Sequence, residues 1–151
     1  MSKKHVRKDI IDHLIQLRKE EIQTLESTHQ MYTDSLDLDE DSSVEVDDLV
    51  QQSRSTEDAM AIELRIQEAQ QELEVFINLE PELVPGITEG NVVITDKLNM
   101  VIGLAFQQFE IDGEKFVGMS TKAPLYQSLE GKLEGDKVEF NGTEYIIEEI
   151  L

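Results

Sequence analysis

The chain contains no cysteine and no tryptophan. Without cysteine there can be no disulfide framework, thiol nucleophile or cysteine-ligated zinc. Bases are scarce: 13 Lys and Arg stand against 33 Asp and Glu, for a net charge of −20. A nucleic-acid or anionic-membrane binder presents a basic face, so neither specific DNA binding nor membrane association is expected. A basic partner surface is the natural complement, because opposite potentials speed encounter and fix orientation. Long apolar runs are also missing. No window approaches the roughly 20 apolar residues of a spanning helix. The charged N-terminus, MSKKHVRKDIID, is followed by no uninterrupted apolar stretch of the kind a secretory signal carries. The expectation is a soluble, cytoplasmic protein.

Proline and glycine are absent from residues 1–79, and all 3 prolines and 8 glycines lie beyond. With both chief breakers missing, this half can run as long helices. Ile10, Ile11, Leu14, Ile15, Leu17, Ile22 and Leu25 fall at helical spacings. Ile62, Ile66, Ala69, Leu73 and Phe76 step alternately by four and three, the alternation of a coiled-coil seam, with Glu63, Gln67, Glu68, Gln70 and Glu72 between them on a solvated face. The pattern predicts an antiparallel helical hairpin over 1–79. Its turn must fall in Asp37–Asp48, DLDEDSSVEVDD, where seven of twelve residues are carboxylates. A helix of about 30 residues is about 45 Å long, which would put this acidic cluster far out at a tip. The seam residues themselves read as helix packing. His5, His13 and His29 are isolated, with no spacing that suggests a metal site or a triad.

From Pro81 the pattern changes. PELVPG marks a linker over about 80–90, and 80–151 reads as a second, globular domain. Strand-like runs follow at 91–95, 100–106, 115–119, 137–140 and 144–150. Asn141-Gly142 is a strong type I′ hairpin signal, and Asp112-Gly113 is similarly placed between two runs. APLYQSLEGK predicts a short helix, with Pro124 at its start and Gly131 at its end. The fold class is therefore α+β: a helical hairpin, then a small, mostly antiparallel sheet with one short helix. Val92, Ile94, Val101, Leu104, Phe116, Leu129, Val138, Phe140 and Ile146 are the expected core.

Ser120, Ala123, Pro124, Leu125, Leu129, Gly131, Lys132, Gly135, Asp136 and Val138 spell SxxAPLxxxLxGKxxGDxV. This run resembles the C-terminal signature of the bacterial Gre family of transcription elongation factors. The resemblance implies an N-terminal antiparallel coiled coil followed by a domain of FKBP-like fold, an order that matches nearly the whole chain. It also implies RNA polymerase as partner, with the hairpin entering the secondary channel and Ser120, Ala123, Pro124 and Leu125 contacting the polymerase. The family tip, D-L-x-E-N, reads Asp37-Leu38-Asp39-Glu40-Asp41 here. By that resemblance Asp37 and Glu40, with Asp39 and Asp41 as further candidates, would help hold a second Mg²⁺ at the polymerase active site and so stimulate cleavage of backtracked transcript. The protein would then have no catalytic residues and no tightly bound cofactor of its own. Carboxylates suit the task, since Mg²⁺ takes hard oxygen ligands and commonly uses one or two carboxylates beside waters and phosphates.

Other readings of the tip stay open. Between Lys19 and Arg54 there is no Lys or Arg, whereas arms of this kind often carry a basic patch for the RNA 3′ end. A channel-blocking inhibitor that does not promote cleavage is the alternative. Asp37, Asp39, Asp41, Ser43, Glu45 and Asp48 also fall at the ligand positions of a calcium loop. That loop needs glycine at its sixth position, which is Ser42 here, and usually glutamate at its twelfth. Ser42-x-x-Glu45 reads as a helix capping box. A merely solvated acidic loop is a further reading. The FKBP-like resemblance raises prolyl isomerase activity. An aromatic-lined pocket would have to draw on Phe106, Phe109, Phe116, Tyr126, Phe140 and Tyr145, several of which must fill the core instead.

Overall fold

The computed structural model describes residues 5–37 and 46–151, the side chains of 35–37 and 46–55 aside. The chain divides into two compact units: Met1–Leu14 with Glu74–Leu151, and Ile15–Leu73. Two long helices account for most of the first 80 residues, α1 over Arg7–Asp37 (31 residues) and α2 over Val46–Ile77 (32 residues). Their length follows from the absence of any residue that breaks the ladder of backbone hydrogen bonds.

Within the unit Ile15–Leu73, Ile22, Ala69 and Leu73 form a buried cluster, with Ile15 and Ile66 packed against it. Ile66, Ala69 and Leu73 are seam positions read from the four-three alternation. Contacts join early residues of α1 to late residues of α2: Arg18 to Glu72, Glu21 to Arg65, Glu26 to Gln70. Arg18 is 1% exposed. Its Nη1 lies 3.4 Å from Glu72 Oε2 and 3.7 Å from Glu21 Oε1, while Arg65 lies 3.2 Å from Glu21 and 3.8 Å from Glu72. Four alternating charges thus close a ring across the two helices.

The other unit is built on a six-stranded sheet of β1 (Val92–Thr95), β2 (Asn99–Ile102), β3 (Phe106–Ile111), β4 (Glu114–Met119), β5 (Lys137–Phe140) and β6 (Thr143–Ile150), in the order β3-β4-β2-β1-β6-β5. All pairs run antiparallel except β2 with β4, which is parallel. The run 100–106, expected as one strand, is two. It breaks after Ile102, where the Gly103 N–H bonds the Met119 carbonyl at 2.8 Å, and resumes at Phe106 on the far side of β4. The connection passes so close over β4 that a Cβ on Gly118 would lie 2.2 Å from the Leu104 carbonyl oxygen. Only glycine fits there. Both tight hairpins form as the sequence signals, with Asp112 and Asn141 at φ of 52° and 50°, the left-handed region that a type I′ turn demands.

The sheet is buried on both faces. Val93, Met100, Ile102 and Ile147 face one side and cluster with Tyr126 and Leu129 of α3 (Pro124–Leu129) and with Ile87, Met119 and Val138. Val92, Val101 and Phe116 face the other side. There His13 of α1 stacks on Phe109 at 5.9 Å, and Phe109 on Phe116 at 5.7 Å. Of the expected core, seven residues are buried: Val92, Ile94, Val101, Leu104, Phe116, Leu129 and Val138. Phe140 is half-buried. Ile146 is the clear error, being 36% exposed while its neighbour Ile147 is fully buried. The phase of β6 is set by its partner: Tyr145 lies opposite the core residue Val138, so Ile147, two along, points inward and Ile146 points out.

Candidate functional site

The acidic segment is reached from α1, whose last residue is Asp37, and α2 begins at Val46. The Asp37 side chain, and Asp39, Glu40 and Asp41 entirely, lie outside the described residues, as does the Ser42–Glu45 capping box. The two helices therefore bracket the segment. Among the described residues, no group of three or more His, Asp or Glu side chains is arranged to hold a metal ion, and no helix is long and apolar enough to cross a membrane.

The C-terminal motif can be followed residue by residue. Ser120 comes directly after β4, where its Oγ accepts the Lys122 N–H at 3.3 Å and its carbonyl accepts the Ala123 N–H at 3.1 Å. These bonds turn the chain into α3. Pro124 occupies the first turn of α3, where no N–H is needed, and its ring is exposed. Ala123 and Leu125 are half-buried against the core. Leu129 and Val138 belong to that core. Gly131 ends α3 at a φ of +77°, its N–H bonding the Ile87 carbonyl at 2.9 Å. Asp136 closes the next turn, its Oδ2 accepting the Leu133 N–H at 2.8 Å. Most of the motif thus has a folding task in turns and core. Of the four residues assigned to a partner, Pro124 is exposed, and Ser120, Ala123 and Leu125 are half-buried.

One titratable group in this region is displaced. The Tyr126 phenol is pushed above its usual value, first by burial and then by the carboxylates of Glu130, Glu89 and Glu82. Those three acids make the surface beside α3 electronegative.

No protein-family model matches the sequence, and a search of curated proteins finds no match. Among solved structures, the chain is similar to the crystal structure of GreA factor homolog 1 of Thermus thermophilus. The identity is 17% and the TM-score 0.35, over 95% of this chain and 93% of that one.

Several placed residues carry no signal in the sequence. The Arg7 guanidinium donates to the Gly90 carbonyl at 2.8 and 3.1 Å and to that of Leu79 at 3.4 Å, pinning the start of α1 to the linker. His5 Nε2 lies 2.6 Å from Glu114 Oε2, and its Nδ1 lies 3.3 Å from Glu149 Oε2. The partners are more than 100 positions away (109 for Glu114), so sequence spacing could not have found them. The linker also lines a groove of about 680 Å³, with Pro81, Leu83 and Val84 on one wall and Leu133, Glu134 and Ile150 on another. The PELVPG punctuation signalled a boundary there but not an apolar surface.

Proposed function

We propose that this chain is a Gre-like factor that binds bacterial RNA polymerase, inserts its paired helices into the secondary channel and stimulates cleavage of backtracked transcript. The observation that carries this reading is the arrangement of two helices of 31 and 32 residues around an acidic segment, followed by an α+β unit bearing the Ser120–Val138 motif. On this reading the helices are a coiled-coil hairpin and the second unit is an FKBP-like domain. The hairpin's length carries the segment 37–48 to a distant point. The domain meets the polymerase through Ser120 and Pro124, backed by Ala123 and Leu125.

At the tip, Asp37 and Glu40 supply two carboxylates three residues apart, with Asp39 and Asp41 beside them and no base between Lys19 and Arg54 to neutralise them. A donor set made only of carboxylates suits a hard divalent cation. A second Mg²⁺ bound at the polymerase site would stabilise the attacking and leaving oxygens of the cut RNA. The residues of this chain would orient and charge-balance that site, while the cleavage itself belongs to the polymerase.

The scarcity of bases also favours a second reading. With nothing on the tip to hold the RNA 3′ end, the same hairpin would occupy the channel and inhibit synthesis without promoting cleavage. Addition of the protein to a stalled, backtracked elongation complex separates the two. Shortened transcripts, lost on Asp37→Ala with Glu40→Ala, are expected for the cleavage factor. Inhibited synthesis with full-length transcript would support the blocker. Unchanged cleavage in the double variant would show that other acids do the work. Calcium binding by the free protein in calorimetry would instead support the calcium-loop reading of 37–48.

A further inference from the structure

We propose that the groove between the linker and the end of β6 is a docking site for a basic, apolar segment of a partner protein. Leu83 is fully exposed (104%), and Val84 and Leu133 are about half exposed (50% and 48%), on the same groove. Apolar side chains gathered on a concave surface and rimmed by polar groups mark an interaction site rather than scattered surface residues.

Charge selects the occupant. Residues 79–90 carry Glu80, Glu82 and Glu89 and no base, Glu134 stands in the wall itself, and Glu148 and Glu149 precede Ile150. Lys132, next to Leu133, is the nearest base in sequence, and the Arg7 guanidinium on this linker is engaged by the Leu79 and Gly90 carbonyls. A second copy of the chain would bring −20 against −20, and nucleic acid carries the wrong sign. A segment with Arg or Lys between apolar residues meets both the apolar floor and the acidic rim.

The backbone supplies a place for it. β5 pairs with β6 as far as Lys137 opposite Ile146, and the Ile147 N–H then reaches the Asp136 carbonyl at 2.9 Å. Beyond that point the Ile150 N–H is taken by Glu134 Oε1 at 3.0 Å. A side-chain carboxylate stands where a neighbouring strand would be. An incoming segment can offer its own backbone carbonyl to Ile150, as in strand addition, and so free the Glu134 carboxylate to pair with the segment's base. The inference rests on the groove residues alone and holds whether or not the polymerase reading does.

The test uses the full chain, a labelled peptide of leucine, valine and arginine, and a counterpart with glutamate in place of arginine. Fluorescence anisotropy should show binding of the first peptide and none of the second. Amide NMR shifts should concentrate at Leu83, Val84, Leu133, Glu134 and Ile150. Leu83→Ser with Leu133→Ser, both at exposed positions the fold tolerates, should weaken binding about tenfold or more, since two apolar contacts are lost. Glu82→Gln with Glu134→Gln should weaken it several-fold and flatten its salt dependence. No binding, equal binding of both peptides, shifts centred elsewhere, or unchanged affinity in the serine variant would each overturn the proposal. So would a concentration-dependent dimer that the serine variant abolishes, because the groove would then belong to self-association.

Discussion

The two units solve the problem of holding a chain together in opposite ways. Ile15–Leu73 contains neither glycine nor proline, and its described apolar cluster is three buried residues with two at the margin, braced by the Arg18–Glu21–Arg65–Glu72 ring. The unit with the sheet holds every glycine and proline and clusters nine buried residues on one face alone. The first spends its sequence on length and surface charge, the second on turns and packing. A narrow seam leaves most of the described surface of the two helices facing water.

The sharpest way to break this comparison is through the cores. Ile147→Ala, in the two-faced core, should cost about 3 kcal/mol in chemical denaturation, within the usual range for a fully buried aliphatic. Leu73→Ala in the helical seam should cost about 2 kcal/mol, because a seam edge open to water relaxes more readily. Ile146→Ala should cost less than about 1 kcal/mol, since that side chain is already 36% exposed. Equal losses at 146 and 147 would refute the assigned phase of β6.

Next comes Arg18, the buried charge of the helical unit. Glu21 and Glu72, 34% and 47% exposed at their side chains, can rehydrate if their partner is removed. The loss should therefore track the packed stem rather than the charge. Arg18→Ala should cost about 2 kcal/mol by leaving a cavity, and Arg18→Leu less than about 1 kcal/mol. Equal destabilisation by both, read from thermal or urea melts, would show that the ring of charges is what holds the helices.

The smallest effect belongs to Tyr126. Its phenol titrates above the usual 10.0 in the folded chain, so the neutral form is favoured by folding. That contribution is complete below about pH 10 and is lost as pH rises through the folded value. Tyr126→Phe should leave neutral stability within about 1 kcal/mol and flatten the alkaline fall in stability. An alkaline limb unchanged by the substitution would contradict the assignment.

The helical half was legible because its signal is local. The four-three spacing of Ile66, Ala69 and Leu73 and the missing breakers are properties of neighbouring residues, and the helices follow. The hairpins at Asp112-Gly113 and Asn141-Gly142 were legible for the same reason. What escaped was non-local. The expected core left out Val93, Met100, Ile102 and Ile147, although β1 and β2 are covered on both sides and every residue in them is buried. The break at Gly103 depends on Gly118, fifteen residues on, admitting the Leu104 carbonyl. The candidate site divides likewise. The motif from Ser120 to Val138 was visible as a pattern, yet its turn and core duties emerged only from the contacts. The linker groove needed Leu133 and Ile150 brought to Leu83, which no spacing announces.

The claim shared by the cleaving and blocking readings is that this chain binds RNA polymerase, and direct binding tests it without reference to chemistry. Labelled full-length protein should bind bacterial core polymerase saturably. The affinity should fall as salt rises, because a chain of −20 approaches a partner of complementary potential, and substitution of Ser120 and Pro124 should weaken it. Absence of saturable binding at low salt would contradict the Gre-like function proposed for this protein.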